Sequence, residues 1–310
     1  MQHLLRAADL SVDNIHSLLD SAAIFEQHIT SRTRLDRMQG RVLINLFAEP
    51  STRTRLSFER AMLALGGQVQ TIGAAESSLL KGESLEDTGR TLSCYGDVIA
   101  MRHPTPGAVA ALARGARIPV INAGDGSHEH PTQSLLDLYT MKRRVGRLNK
   151  LVVGLVGDLK HSRTIHSLVD MLAPFQPQLV CVAPPELGLP AELVNSLAVR
   201  GISALHADDL STVMPELDVL YVTRLQRERF EDLALYERLQ ASYHVNAASL
   251  VGAKKNMVVM HPLPRVNELS PDVDADPRAA YFDQVRYGVP VRMAILDALL
   301  DALAADKPAL

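Results

Sequence analysis

The sequence predicts an α/β protein of two domains, each with a central parallel sheet flanked by helices, the domains being joined by long helices. Two series of short, apolar, β-rich segments alternate with amphipathic helical stripes, and strands that alternate with helices form parallel sheets. The chain has 310 residues, 47% of them hydrophobic, which suffices for two ordinary cores. The basic residues 142–144, followed by Gly146, mark the boundary between the two series.

The first series opens with a helix over residues 10–28, for which Ser11 is a suitable N-cap. Its central strand, residues 41–47, is followed by an amphipathic helix. Further strands, separated by helices, are predicted at 68–72, 98–101 and 120–122. A long helix through residues 135–141 leads to the boundary.

The second series shows the same alternation of strands and helices. Its strands are predicted at 151–156, 179–182, 202–205, 219–222 and 257–260. A helix with Ile165, Leu168 and Leu172 on its apolar face follows the first of them. The last helix is predicted over about 287–303.

Composition excludes several classes of partner. The net charge of −3 and the pI of about 6.4 do not favour binding to nucleic acid. The start of the chain lacks a basic region followed by an apolar run, and no apolar stretch reaches the length of a membrane span. We therefore expect a soluble cytoplasmic protein that binds no membrane, with Cys94 and Cys181 as buried free thiols.

The central strand ends in a turn rich in hydroxyl and guanidinium groups. Glu49 and Pro50 break the strand, and residues 51–55 read Ser-Thr-Arg-Thr-Arg at the start of the next helix. The first turn of a helix presents free N–H groups and partial positive charge, which suits a phosphate. The alternative is an N-capped helix with two solvated arginines. The chain contains no Gly-x-x-x-x-Gly-Lys run, so this turn is not a nucleotide P-loop.

Polar residues follow two further strands of the first series. Arg102 lies at the carboxyl end of a strand, where ligands bind in open α/β sheets, but a surface arginine is an equal alternative. His130 and Gln133 belong to a His-Pro-Thr-Gln run at a helix start, where they can bind a carbonyl and an amide. A zinc site at His128 and His130 is the alternative, but no nearby cluster supplies further ligands.

In the second series, two arginines follow strands. Residues 154–158 resemble half of a dinucleotide fingerprint, but the third glycine is missing, so NAD binding is not favoured. Arg163, at the next helix start, and Arg224, after a later strand, can each bind a carboxylate. An exposed arginine at a helix start is the alternative for Arg163.

The turn at 261–265 reads His-Pro-Leu-Pro-Arg and follows the last predicted strand. Two prolines remove backbone N–H groups and leave carbonyl groups exposed, which can hold a substrate amine or amide. We predict that the Leu263–Pro264 bond is cis, so that successive carbonyls face one small ligand.

Together these motifs resemble the transcarbamoylase family over essentially the whole chain. The resemblance is carried by residues 51–55, by Met-Arg-His-Pro around Arg102, by His-Pro-Thr-Gln at 130–133, by Gly-Asp-x-x-x-x-Arg-Thr at 157–164 and by Ser-Ser-x-x-Lys-Gly-Glu at 77–83. The turn at 261–265 is similar to that of the aspartate-specific members, whereas the ornithine enzymes carry His-Cys-Leu-Pro there.

The resemblance implies transfer of the carbamoyl group from carbamoyl phosphate to the α-amino group of L-aspartate, giving N-carbamoyl-L-aspartate and phosphate in pyrimidine biosynthesis. It implies neither a metal nor an organic cofactor. The alternatives are a transcarbamoylase for another amine, such as ornithine, and a non-catalytic phosphometabolite-binding protein.

The resemblance also assigns the site residues. The implied catalytic residues are Thr54, Lys81, Arg102 and His130. The residues implied to bind carbamoyl phosphate are Ser51, Thr52, Arg53, Thr54, Ser77, Arg102, His130, Gln133, Leu263 and Pro264. The residues implied to bind aspartate are Lys81, Arg163, Arg224 and Gln226.

The same resemblance implies a homotrimer with active sites shared between subunits, in which the loop at 76–84 supplies Ser77 and Lys81 to the neighbouring site. It leaves open whether separate regulatory chains attach. It also implies that the last helix returns to the first domain. Residues 1–145 and 286–310 then form the carbamoyl-phosphate-binding domain, and residues 146–285 form the aspartate-binding domain.

Overall fold

The structure, a computed structural model, describes residues 1–73, 78–225, 236, 237, 239 and 244–305. The chain divides into two compact units: unit 1 is Met1–Leu136 with Val285–Leu310, and unit 2 is Asp137–Gln284. Each unit contains one parallel sheet with helices, so the predicted α/β class is confirmed. The domain limits given above stay a prediction.

Unit 1 is built around a sheet of four parallel strands. These are β1 (Val42–Phe47), β2 (Gln68–Gly73), β3 (Val98–His103) and β4 (Val120–Asp125). Their order in the sheet is β2-β1-β3-β4. The helices that begin in unit 1 are α1 (Val12–Thr30), α2 (Thr52–Ala64), α3 (Leu85–Leu92), α4 (Ala108–Gly115) and α5 (Pro131–Val145).

The central strand of unit 1 is buried on both faces. Ile44 and Leu46 enter a core that also contains Ile99, Met101, Val109 and Leu112. Leu43 and Phe47, which alternate with them along β1, are also buried. Parallel strands covered by helices on both faces read as continuous apolar runs, which is why the sequence predicted this strand well.

Unit 2 is built around a second parallel sheet. Its strands are β5 (Val152–Val156), β6 (Gln178–Val182), β7 (Ala204–His206), β8 (Val219–Val222) and β9 (Val258–Met260). Their order is β7-β6-β5-β8-β9. The helices that begin in this unit are α6 (Arg163–Leu172), α7 (Ala191–Val199), α8 (Leu210–Val213) and α9 (Tyr281–Ala305). One core cluster of the unit includes Val156, Val180, Leu220, Val222 and Val259.

Most predicted boundaries lie within a few residues of those observed, and the cap of α1 is confirmed. The hydroxyl of Ser11 accepts a hydrogen bond from the N–H of Asn14 at 3.1 Å. The last helix is the exception, because it begins at Tyr281, six residues before the predicted start. Gly288 and Pro290 weaken the helical signal of this segment when only sequence is considered, yet the helix runs through both. In the structure Gly288 is packed so tightly that an added Cβ would lie 2.6 Å from Nη1 of Arg292.

Other features also differ from the sequence analysis. The helices α7 and α8 were not predicted, and β4 continues to Asp125 instead of ending at 122. Cys181 is buried as expected, and burial raises its pKa to about 12. Cys94, however, is exposed, because it follows the end of α3 on the polar side, with its thiol 3.6 Å from the carbonyl oxygen of Arg90. Within the described ranges, no helix combines the length and apolarity needed to cross a membrane.

Candidate active site

In unit 1 the strand order reverses at the centre of the sheet. From β1 the chain goes to β2 on one side, whereas β3 lies on the other side. Ligands of open α/β sheets bind at such a point, outside the carboxyl ends of the strands. The turn at 51–54 follows β1, and Phe47 at the end of β1 is in register with Arg102 of β3. The two predicted groups therefore lie at the same edge of the sheet.

The first turn of α2 differs from the first turns of α1 and α3. Ser11 and Ser84 cap those helices with their side chains. Ser51 is the N-cap of α2, but among the described residues its hydroxyl accepts no cap hydrogen bond. Ser51 therefore does not form the ordinary side-chain N-cap that was the alternative interpretation of this turn.

The two arginines of the turn have different surroundings. Thr52 and Arg53 are exposed and Thr54 is buried. Arg55 lies 3.5 Å from the carboxylate of Glu59, one turn later on the same helix. Arg55 therefore belongs to a helix-surface ion pair and is set apart from the predicted phosphate ligands.

Arg102 is held by an acidic residue that the sequence analysis treated only as a strand breaker. Its Nε donates to Oε2 of Glu49 at 3.1 Å, and its side chain is largely buried. The Ala48 N–H also donates to the Arg102 carbonyl at 2.9 Å. These bonds fasten the end of β3 to the segment after β1. In the sequence, the position of this acidic residue just before a basic turn was the available signal that Glu49 could contact an arginine.

A buried carboxylate shapes the loop that carries His130. Asp125 accepts hydrogen bonds from the N–H groups of Gly107 and Glu129, each at 3.0 Å, and from Nδ2 of Asn122 at 3.1 Å. His130 is buried and directly precedes α5, which begins with proline, a favoured first residue of a helix. Its carbonyl accepts from the N–H of Gln133 at 2.9 Å. The predicted pair therefore occupies one helix start after β4.

Arg292 is a residue of unit 1 that the sequence analysis missed. It is buried in α9, and its Nη1 donates to Oγ of Ser57 at 2.9 Å. Its Nη2 lies 3.4 Å from Oγ1 of Thr132, and its guanidinium carbon lies 5.0 Å from the centroid of the Phe58 ring. Arg292 thereby contacts the helices that carry Thr54 and Gln133. An arginine within an apolar helical run gave no signal of this role.

Lys81 differs from these residues in its surroundings. It ends a short 3-10 turn, Ser78–Lys81, and its side chain is exposed. Within the part of unit 1 that the structure describes, it makes no hydrogen bond or ion pair. Ser77, which was predicted to accompany it, lies outside the described residues.

Unit 2 repeats the arrangement of strand ends. Its order reverses at β5, with β6 on one side and β8 on the other. Arg163 begins α6 after β5, and Arg224 follows β8. Both are partly buried. The structure thus places the two predicted carboxylate ligands after neighbouring strands, at a second switch point. Gln226 lies outside the described residues.

Asp158 organises the loop before Arg163. It is fully buried and accepts a hydrogen bond from the N–H of His161 at 3.0 Å, and the His161 ring also contacts it at 3.0 Å. The hydroxyl of Thr223 lies 3.4 Å from the Asp158 carbonyl. The residues that precede Arg163 and Arg224 are therefore fastened to each other.

The turn at 261–264 has the predicted cis Leu263–Pro264 bond. Its Leu263 N–H donates to Nδ1 of His261 at 2.8 Å. Since Nδ1 accepts, the proton of a neutral ring lies on Nε2, which faces Oε1 of Glu268 at 2.8 Å. Burial acts to raise the pKa of Glu268, but its bonds to His261 and to backbone N–H groups hold that pKa below its ordinary value. His261 therefore fixes the turn by local hydrogen bonds.

The fold defines an α/β protein of two units, in each of which basic residues follow the strands where the strand order reverses. The model of the carbamoyl-P binding domain of aspartate/ornithine carbamoyltransferase matches residues 2–143, and the model of the Asp/Orn binding domain matches residues 149–299. The chain belongs to the aspartate/ornithine carbamoyltransferase family.

Similar proteins within that family carry the names aspartate carbamoyltransferase and aspartate transcarbamoylase. The chain is 50% identical to the aspartate carbamoyltransferase catalytic subunit of Thermococcus onnurineus over 301 residues, 97% of each chain. It is similar to the solved catalytic subunit of M. jannaschii aspartate transcarbamoylase, with a TM-score of 0.92, 44% identity and coverage of 99% and 100%. A Trypanosoma cruzi aspartate transcarbamoylase, solved with carbamoyl phosphate and aspartate, gives a TM-score of 0.91 at 42% identity, over 96% of each chain.

Proposed function

We propose that this chain transfers the carbamoyl group of carbamoyl phosphate to the α-amino group of L-aspartate, forming N-carbamoyl-L-aspartate and phosphate. The observation that carries this assignment is the placement of Arg163 and Arg224 after neighbouring strands of unit 2. Two guanidinium groups suit a dicarboxylate, whereas the ammonium group of ornithine would be repelled by them. The similar aspartate enzymes support the same choice.

Carbamoyl phosphate is assigned chiefly to unit 1. The start of α2 receives the phosphate, because its N–H groups and the Arg53 guanidinium favour an anion. Arg102, His130 and Gln133 bind the carbamoyl group. The full proposed set is Ser51, Thr52, Arg53, Thr54, Ser77, Arg102, His130 and Gln133, with Leu263 and Pro264 offering backbone carbonyls.

The reaction needs no covalent bond between substrate and protein. The neutral amine of aspartate attacks the carbonyl carbon, and its electron pair forms the new C–N bond. Thr54, Arg102 and His130 donate to the oxyanion of the tetrahedral intermediate. The oxyanion electron pair then re-forms the carbonyl as the C–O bond to phosphate breaks, and the phosphate leaves with the electron pair of that bond and accepts the amine proton. Orientation alone supplies roughly 7–11 kcal/mol in such reactions, and the Glu49 contact to Arg102 serves that orientation.

Aspartate is assigned to Arg163, Arg224 and Gln226, with Lys81 close to both substrates. Arg224→Ala should raise the half-saturating aspartate concentration by about 10- to 150-fold, because hydrogen bonds to charged groups contribute roughly 1.5–3 kcal/mol. Carbamoyl phosphate binding to the free enzyme should be almost unchanged. Steady-state kinetics and equilibrium binding measure the two quantities.

The matched control is Arg200→Ala, which removes an arginine of unit 2 that pairs with Asp170 at 2.9 Å. It should leave the half-saturating aspartate concentration near that of the parent chain. Equal weakening of both substrates by Arg224→Ala would contradict the assignment of Arg224 to aspartate.

We also propose a homotrimer in which neighbouring chains share active sites. On unit 1, the apolar side chains of Leu56 and Leu63 are 49% and 57% exposed, and that of Leu80, next to Lys81, is 72% exposed. Leu56 and Leu63 are two turns apart on one face of α2. Apolar side chains on one face favour burial against another copy, and a cyclic trimer repeats one such contact three times. Native mass measurement of the complex from its own cells reports the copy number and any regulatory chain.

The direct test of the reaction supplies the purified chain with carbamoyl phosphate and either L-aspartate or L-ornithine. We expect equal amounts of carbamoyl-aspartate and phosphate with aspartate, and no carbamoylated product with ornithine. Turnover with ornithine would support the alternative amine. Binding of carbamoyl phosphate without product from any amine would support the non-catalytic alternative.

A further inference from the structure

A buried carboxylate of unit 2 lies at the centre of a hydrogen-bond network outside the proposed substrate contacts. Asp137 is fully buried in α5. The hydroxyl of Tyr221, on β8, donates to its Oδ2 at 2.8 Å. Nε2 of Gln284, on α9, donates to its Oδ1 at 2.6 Å. Each carboxylate oxygen thus holds a donor from a different element of the unit.

The orientation of these groups is fixed by their other partners. Oε1 of Gln284 accepts from the His261 N–H at 3.1 Å, so its amide nitrogen faces Asp137. Burial and the Asp137 carboxylate raise the pKa of Tyr221 well above its ordinary value. Tyr221 therefore remains a hydroxyl donor. Buried polar groups with every partner in place hold one geometry.

The network has two arms, one that runs from Asp137 to Tyr221 and one that runs from Asp137 to Gln284. The two arms lead to different segments of the proposed site. The side chain of Thr164, which directly follows Arg163, lies beside the Tyr221 phenol and acts to lower its pKa; the Thr164 hydroxyl also lies 3.0 Å from Oγ of Ser162. The Gln284 arm reaches the backbone of His261, whose ring holds the N–H of Leu263. Leu263 has a φ of +48°, a left-handed conformation that a leucine adopts only when its surroundings impose it.

We propose that Asp137 is a positioning residue, which through Tyr221 and Gln284 couples the start of α6 to the turn at 261–264. The proposal rests on the function assigned above, in which Arg163 binds aspartate and Leu263 offers a carbonyl. The two oxygens of one planar carboxylate cannot move independently. A displacement at one arm is therefore transmitted to the other, although Asp137 itself touches neither substrate.

The test is a double-mutant cycle on the full chain. Tyr221→Phe removes one hydroxyl, and Gln284→Met keeps the length of the side chain without its polar atoms. Each should lower kcat/KM for aspartate by about tenfold, less than the roughly 100-fold cost of a 1 Å misplacement. Because a displacement at one arm is transmitted to the other, each variant should both raise KM for aspartate and lower kcat. Because both act through Asp137, the double variant should lose about 10- to 20-fold instead of about 100-fold.

The control is Tyr281→Phe, which removes a buried tyrosine hydroxyl of the same unit that contacts Asp274 and Arg265. It should change the melting temperature without changing KM or kcat.

Inorganic phosphate should inhibit all variants with the parent inhibition constant, since the proposed phosphate ligands lie in unit 1. If Gln284→Met does not fold, Asp137→Asn replaces it, and Tyr221→Phe should then cost less in the Asn background.

Two outcomes overturn the proposal: additive losses near 100-fold in the double variant, or variants that lose thermal stability while keeping the parent KM and kcat. Failure of the assigned function is a different result. In that case the parent chain itself forms no carbamoyl-aspartate.

Discussion

Replacing Arg53 by alanine is expected to lower turnover by about 10²–10³-fold, the loss typical of removing one preorganised donor from a developing charge. The guanidinium stands at the first turn of α2, where helix N–H groups and their partial positive charge favour the leaving phosphate. Phosphate gains charge as the C–O bond breaks, so the contact strengthens in the transition state. Because Arg53 is exposed, the free energy of unfolding should change by only about 0.5 kcal/mol.

Arg55→Ala is the matched control, because it removes the same charge two residues later on the same helix. Arg55 pairs with Glu59, so its loss should leave turnover close to that of the parent chain. Initial rates at saturating substrate, together with thermal melts of both variants, provide the comparison. Near-normal kinetics in Arg53→Ala would remove the start of α2 as the phosphate site.

The strand ends could be predicted from sequence because they follow local patterns. Apolar runs marked the strands. Arg102 lies at the end of β3, and Ser51 and Arg163 lie at the starts of the helices that follow β1 and β5. The reversal of strand order at β1 and β5 could not be derived from those patterns, since it depends on which strands pair. That pairing places Arg102 beside the turn after β1, and Arg224 beside the loop after β5.

The supporting contacts could not be predicted because their partners are distant in sequence. Arg292 and Ser57 are 235 positions apart, and Gln284 and Asp137 are 147 positions apart. Each of these residues lies in a helix that reads as ordinary. Glu49 was noticed only as a break in β1, although it contacts Arg102 across 53 positions. The groups proposed to touch substrate therefore had local signals, whereas the groups that hold them had a weak signal, as for Glu49, or none.

The second large effect that we expect is a loss of turnover when Lys81 is replaced. We propose that Lys81 acts in the active site of a neighbouring chain. Its side chain is exposed, and the described part of its own chain gives it no hydrogen bond or ion pair. A point charge from Lys81 would complement the forked contacts of Arg53 on the leaving phosphate. Lys81→Ala should therefore lower turnover by about 10²–10³-fold, with little change in the stability of the chain.

Mixing the two inactive variants, Arg53→Ala and Lys81→Ala, should restore activity. A site in a mixed trimer is native when its own chain carries Arg53 and its neighbour carries Lys81. After dissociation and statistical reassociation at a 1:1 ratio, each condition holds for half of the chains, so about one quarter of the sites should be native in a closed ring. The recovered activity should be about one quarter of the parent value and should fall on either side of the 1:1 ratio.

A second mixture separates shared sites from sites within one chain. Parent chains mixed 1:1 with the double variant Arg53→Ala/Lys81→Ala should keep about half of the parent activity if each chain supplies both residues. They should keep about one quarter if neighbouring chains share them, because a native site then needs two parent chains side by side. Subunit exchange is verified by mass on the same samples. With exchange proven, no recovery in the first mixture and half activity in the second would place Lys81 in the site of its own chain.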